Sequence, residues 1–120
     1  MTYHVLDKQA AERKTIHEDW GSLTWLAGRA HGNSESLTVG RVVIKPGRSN
    51  PRHSHPTCDE VLYLLSGTLE HTIGGDKVTL QAGDTISITG GVNHNATNVG
   101  ETDADMIVTF SSADRTVELE

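Results

Sequence analysis

Hydrophobic and polar residues along this chain fall into short runs, with little sign of helical spacing. From Leu23 onward the stretches LTWLAGRA, LTVGRVVI, EVLYLLS, TLEHTI, KVTL, DTISI, HNATN and ADMIVTFSS follow one another. Between them stand PGRSN (46–50), Gly67, GGD (74–76), AGD (82–84) and GGVN (90–93). Short β-rich runs punctuated by glycine-containing turns predict an all-β sandwich or barrel. Closing or doubling the sheet also protects its edges. Upstream, DKQAAERK (7–14) predicts one or two helical turns with Asp7 as their cap. The expected organisation is an irregular or helical arm over residues 1–22, then one β domain over 23–120.

Successive side chains on a strand point to opposite faces, so parity shows which residues share a side. His53 and His55 point the same way. With Glu60 turned to the interior, Leu62 and Leu64 follow it, and Val61, Tyr63 and Leu65 face the other side. Leu69, His71 and Ile73 share a face, as do His94, Ala96 and Asn98, and later Met106, Val108 and Phe110. The EVLYLLS strand is apolar on both faces, so its outer one needs cover. A two-fold dimer is the expected solution.

Composition narrows the function. The chain has 120 residues, enough for one domain with its own core. Its net charge of −6 disfavours a nucleic-acid partner, which needs clustered Lys and Arg. No apolar run approaches the ~20 residues of a membrane span. MTYHVLDKQAAERK lacks the apolar core of a signal peptide, so a cytoplasmic location is expected. The single cysteine, Cys58, excludes an internal disulfide framework.

The chemistry concentrates in NPRHSHPTCDEVLYLLSG (50–67). Two imidazoles at i and i+2 on a strand can reach one interior point, and Glu60 can join them from the adjoining strand. GGVNHNATN supplies a further imidazole, His94. Mixed imidazole and carboxylate donors suit a first-row divalent ion with positions left for substrate. A closed structural zinc site would be richer in cysteine.

These stretches also resemble a known family, the cupins, and in particular its small single-domain members. The family's first motif reads here as Gly47, five residues, His53-Ser54-His55, four residues, Glu60, six residues, Gly67. The second reads as Gly83, five residues, Thr89-Gly90-Gly91, two residues, His94, three residues, Asn98. Thr89 stands where the family has proline, which removes a φ constraint before His94 but no ligand. The resemblance implies a jelly-roll fold and His53, His55, Glu60 and His94 as ligands of a divalent transition metal (Fe, Mn, Ni, Zn, Co or Cu). Asn50, three residues before the first ligand, also resembles a substrate-contacting asparagine of the germin branch. The chain has neither the amino-terminal cysteine pair nor the secretion signal of that branch, so oxalate oxidation is not implied.

Other residues carry two readings each. His71, on an apolar face, is either a pocket acid or base or a hydrogen-bonded structural histidine. Arg41 can meet a substrate carboxylate or lie over the sheet surface. Asn50 can contact substrate or brace the turn before Pro51. Trp20 and Trp25 are expected in core or dimer packing, with a sugar-stacking platform as the alternative. Cys58 reads as a small loop residue, and His4, His17 and His31 as solvated.

The expected function is a metal-dependent enzyme of isomerase or lyase type on a small polar metabolite such as a sugar, sugar acid or keto acid. Proton transfer is expected to be its chemistry, supported by polar Asn50, His71 and Asn98. An iron-dependent dioxygenase is the first alternative, disfavoured by Phe110 being the only phenylalanine. A non-catalytic metabolite-binding or regulatory protein is the second.

Overall fold

The computed structural model describes residues 2–120. A short helix α1 (Lys8–Glu12) opens the chain, and Asp7 caps it by accepting from the Ala10 amide at 2.8 Å. The strands are β1 (Ile16–Glu18), β2 (Gly21–Ala27), β3 (Thr38–Ile44), β4 (His53–Ser54), β5 (Glu60–Ser66), β6 (Thr68–Ile73), β7 (Asp76–Gln81), β8 (Thr85–Ile88), β9 (His94–Asn98), β10 (Ala104–Phe110) and β11 (Glu118–Leu119). A 3₁₀ turn (Arg29–His31) follows β2, so the end of LTWLAGRA leaves the sheet.

Two antiparallel sheets form the domain. One runs β1-β2-β3-β10-β5-β8 and the other β11-β4-β9-β6-β7. The all-β jelly-roll expectation holds as a two-sheet sandwich. The arm is less separate than expected, since β1 pairs with β2 and β2 begins at Gly21, so the 22/23 boundary falls inside a strand. All three residues of β1 are exposed, which leaves no alternation to read. β4 and β11 have two residues each, too few to show a pattern.

Burial follows parity. In β10 every second residue is buried, from Ala104 through Met106 and Val108 to Phe110. In β5, Glu60, Leu62 and Leu64 are buried while Val61, Tyr63 and Leu65 are exposed. Ile44, Leu64, Leu69, Ala96 and Met106 meet in the sandwich interior, each large aliphatic contributing about 1.5–3 kcal/mol on burial. Gly67 makes the tight β5–β6 connection, with φ +96° and a backbone so near β10 that a Cβ would lie 2.8 Å from Ala104 Cα. Among the described residues, no helix is long and apolar enough to cross a membrane.

Candidate metal centre

The centre lies between the sheets. His53 on β4 is in register with His94 on β9, and Glu60 opens β5 on the opposite sheet. His55, just beyond β4, projects to the same point. One donor atom from each of His53, His55, Glu60 and His94 lies within 4.8 Å of the others. His55, Glu60 and His94 are buried and His53 is partly so. The turn into His94 is held despite Thr89. The Gly91 amide donates to the His55 carbonyl at 3.0 Å and the Gly90 amide to Asp59 Oδ1 at 2.9 Å.

Proton accounting tests whether this set suits a cation. His53 Nδ1 lies 2.6 Å from the Pro51 carbonyl, His55 Nδ1 2.9 Å from the Thr116 carbonyl and His94 Nδ1 2.8 Å from the Val92 carbonyl. A carbonyl only accepts, so each Nδ1 carries a proton and each neutral ring turns its Nε2 lone pair inward. His53 and His55 Nε2 are then 3.2 Å apart, and Glu60 Oε1 is 3.1 Å from His55 Nε2 and 3.0 Å from His94 Nε2. Acceptors packed this closely repel one another unless a proton or a cation sits among them. Backbone carbonyls that orient ligating imidazoles are also the usual outer support of a metal site. The residues fit a divalent ion.

The directions of the pKa shifts agree, with a proton on the Nε2 side of the imidazoles standing where a cation would. Burial opposes charge on Glu60, but hydrogen bonds from His55 and His94 outweigh it and hold the carboxyl down at about 2. Burial also opposes charge on His94, yet the bond to Glu60 wins and raises its pKa. His53 is lowered, mainly by burial. Protons are drawn to where a cation would sit.

A cavity of about 230 Å³ opens from the centre. His71 lines it, buried, its ring 5.9 Å from that of His94. Neither ring nitrogen of His71 has a hydrogen-bond partner within the protein. Burial lowers its pKa to about 4, leaving the imidazole neutral. Asn50 also lines the cavity, but its Oδ1 accepts from the Ala96 amide at 2.8 Å and braces β9.

Other expectations need correction. Arg41 does not line the cavity. It sits exposed on the outer face of β3 in a two-point pair with Asp105, at 2.8 and 2.7 Å, because its parity is that of Val39 and Val43. Asn98 is buried and spends its side chain on the backbone, donating to Ile44 and Thr102 carbonyls and accepting from the Gly100 amide. Trp20, Trp25 and Phe110 all line the cavity, together with Val42, Leu62 and Met106. The walls are thus more aromatic and less polar than the composition suggests. Gly40 makes room for Trp25, whose ring lies 2.5 Å from where a Cβ would be.

One lining residue escaped the sequence reading. Arg115 lies between β10 and β11, outside both motifs and outside any alternating run, so no local pattern marks it. Its guanidinium stands 4.5 Å from the Trp25 ring centre and 5.3 Å from that of Phe110.

Comparison with known proteins agrees with this geometry. The cupin domain family model matches residues 40–110. The chain is 30% identical over 95 residues to the tetracenomycin polyketide synthase protein TcmJ of Streptomyces glaucescens, covering 79% of this chain and 64% of that protein. It is 35% identical over 88 residues to oxalate oxidase GF-2.8 of Triticum aestivum, covering 67% of this chain and 39% of that one. It therefore spans less than two thirds of these relatives. Among solved structures, an oxalate oxidase bound to glycolate superposes with a TM-score of 0.77 at 29% identity, over 86% of this chain and 56% of that one. Oxalate decarboxylase of Lactobacillus farciminis shares the fold at 19% identity with a TM-score of 0.82, over 88% of this chain and 33% of that one. With a family model that takes in both motifs and a His/Glu set able to hold a metal, the chain belongs to the cupin family.

Proposed function

We propose that this protein is a metal-dependent enzyme acting on a small molecule that presents oxygen atoms to the His/Glu centre and a flat apolar body to the aromatic walls. The observation that carries the reading is the convergence of three inward Nε2 lone pairs and the Glu60 carboxylate at one end of a cavity of about 230 Å³. When bound there, a divalent transition ion supplies Lewis-acid polarisation of adjacent substrate oxygens. The chain's own residues do the rest. Carbonyls of Pro51, Thr116 and Val92 fix the tautomer of the three ligand imidazoles. Val42, Leu62 and Met106 exclude water. Asn50 helps orient substrate from the rim, and neutral His71 moves a proton at one of its unpartnered nitrogens, as isomerase or lyase chemistry requires.

The aromatic lining specifically favours a second reading, an oxygen-dependent dioxygenase on an aromatic or conjugated substrate. One experiment separates the two. Purified protein, metal-replete and metal-stripped, is offered sugars, keto acids, catechols and aromatic hydroxy-carbonyl compounds with and without oxygen. Turnover under anaerobic conditions, with substrate hydrogen exchanging into D₂O and lost on stripping, is the expected result. Oxygen consumed in step with substrate selects the dioxygenase. A metal-replete protein that turns over nothing under either condition returns it to a binding or regulatory role.

Pairing is a further part of this proposal. Val61, Tyr63 and Leu65 are 41%, 43% and 47% exposed on the outer face of β5. An isologous dimer through that face would cover them. Sedimentation at micromolar concentration is expected to give twice the chain mass, and Tyr63→Glu to give monomer. A wild-type monomer under those conditions refutes it.

A further inference from the structure

We infer that Arg115 is the residue that selects the substrate, and that the substrate carries a carboxylate or an equivalent anionic oxygen on its flat apolar body. This rests on reading the cavity as a substrate site, and it adds a charge requirement which that reading lacks.

The argument begins with what Arg115 does not do. Arg29, Arg41 and Arg52 are each paired with a carboxylate, Asp114, Asp105 and Glu120 respectively. Arg115 is half-buried and, among the described residues, has neither an ion-pair nor a hydrogen-bond partner. Burial pulls its pKa down, with only the more distant field of Glu60 and Cys58 opposing. A guanidinium nevertheless stays charged in proteins. A partly desolvated cation without a counter-ion is costly unless something else answers it.

The placement suggests what answers it. Arg115 Cζ stands over the Trp25 ring and near that of Phe110, and no side chain or carbonyl among the described residues takes up its N–H groups. Those groups are the part that forms paired hydrogen bonds with a carboxylate. Arg115 lines the metal cavity and also a second, more open cleft bordered by Lys14, Arg29 and His31, so it stands where the two meet. The next residue, Thr116, accepts from His55 Nδ1, which ties the position of Arg115 to that of the ligand set. A molecule held by oxygen at the centre and by an anion at Arg115 would lie along the aromatic wall between them.

The test uses isothermal calorimetry on metal-replete protein with two probes of nearly equal shape, 2-hydroxybenzoate and its neutral counterpart 2-hydroxybenzamide. Wild type is expected to bind the anion about tenfold or more tightly than the amide. Arg115→Gln is expected to bring the two within about twofold, with amide binding retained. Arg115→Lys keeps the charge without the planar fork and should keep part of the preference. Equal binding of both probes by wild type, no anion binding at all, or an unchanged preference in Arg115→Gln overturns the inference. Because an ion at the centre also favours an anion, the variants decide, with retained amide binding as the check that each is folded; where Arg115→Gln fails that check, Arg115→Met takes its place. The outcomes also separate this inference from the enzymatic reading. An anion preference that depends on Arg115, without turnover of any panel compound, leaves the inference standing and sinks the enzyme. Turnover of a neutral substrate unchanged in Arg115→Gln does the reverse.

Discussion

Changing His53, His55, Glu60 and His94 together to alanine is expected to remove the divalent ion and leave a folded β protein. Each of the four atoms reaches one point, so losing any one should weaken binding at least as much as losing a supporting hydrogen bond, about 10- to 100-fold. The fold should survive because Ile44, Leu64 and Leu69, all fully buried, form a core that does not depend on the centre. Glu60→Gln is the milder probe, since it keeps the shape and removes the charge. Elemental analysis, metal titration and far-UV circular dichroism check all of this. Wild-type protein with the metal content and affinity of the quadruple variant would falsify the metal assignment.

The second large effect concerns His71, for which stability and turnover should move in opposite directions. Both ring nitrogens are buried without partners, and an unsatisfied buried polar group costs about 1–3 kcal/mol. His71→Leu removes that cost while roughly filling the space, so its melting temperature is expected to rise. Turnover should fall by about 10²- to 10⁴-fold, the usual contribution of a positioned proton carrier. Metal content should not change, and exchange of substrate hydrogen with D₂O should disappear. A histidine kept only for packing would behave otherwise: His71→Leu would leave turnover intact or lower stability and activity together. Thermal melts and kcat measured on one preparation distinguish the cases.

Much of the fold was legible in the residue pattern because a sandwich buries one face of most of its strands. The alternation of Met106, Val108 and Phe110, and of Glu60, Leu62 and Leu64, marked inward positions that the structure shows buried. Asp7 was readable as a cap because capping is a local interaction. β1 and β11 were not readable, since each has too few residues to show a period; the strand read through His53 and His55 is β4, which ends at Ser54, before His55. The two faces of β3 show the limit of parity. It groups Arg41 with Val39 and Val43 but does not say which group faces inward, and the structure turns Val42 and Ile44 to the core.

The cavity is where chain order and space part company. Trp20 and Trp25 sit five residues apart in the amino-terminal part of the chain, Phe110 ends β10 and Arg115 lies near the carboxyl terminus. Nothing short-range links them, so few aromatic residues in the composition read as a polar pocket. Gathering those few around one cavity reverses that reading.

The strands with a buried face, the two motifs and the four candidate ligands could all be read along the chain, because strand parity is local and the motifs that carry the cupin resemblance have fixed spacing. What surrounds the centre depends on how the two sheets pack. That packing turned Arg41 outward to Asp105, committed Asn98 to backbone carbonyls, left His71 without partners and brought Arg115 over Trp25 and Phe110. The physical reason is that the candidate ligands sit in two motifs whose internal spacing can be read directly from the chain. The polarity of a cavity is a sum over side chains from both sheets, and their meeting is set only when the sheets pack.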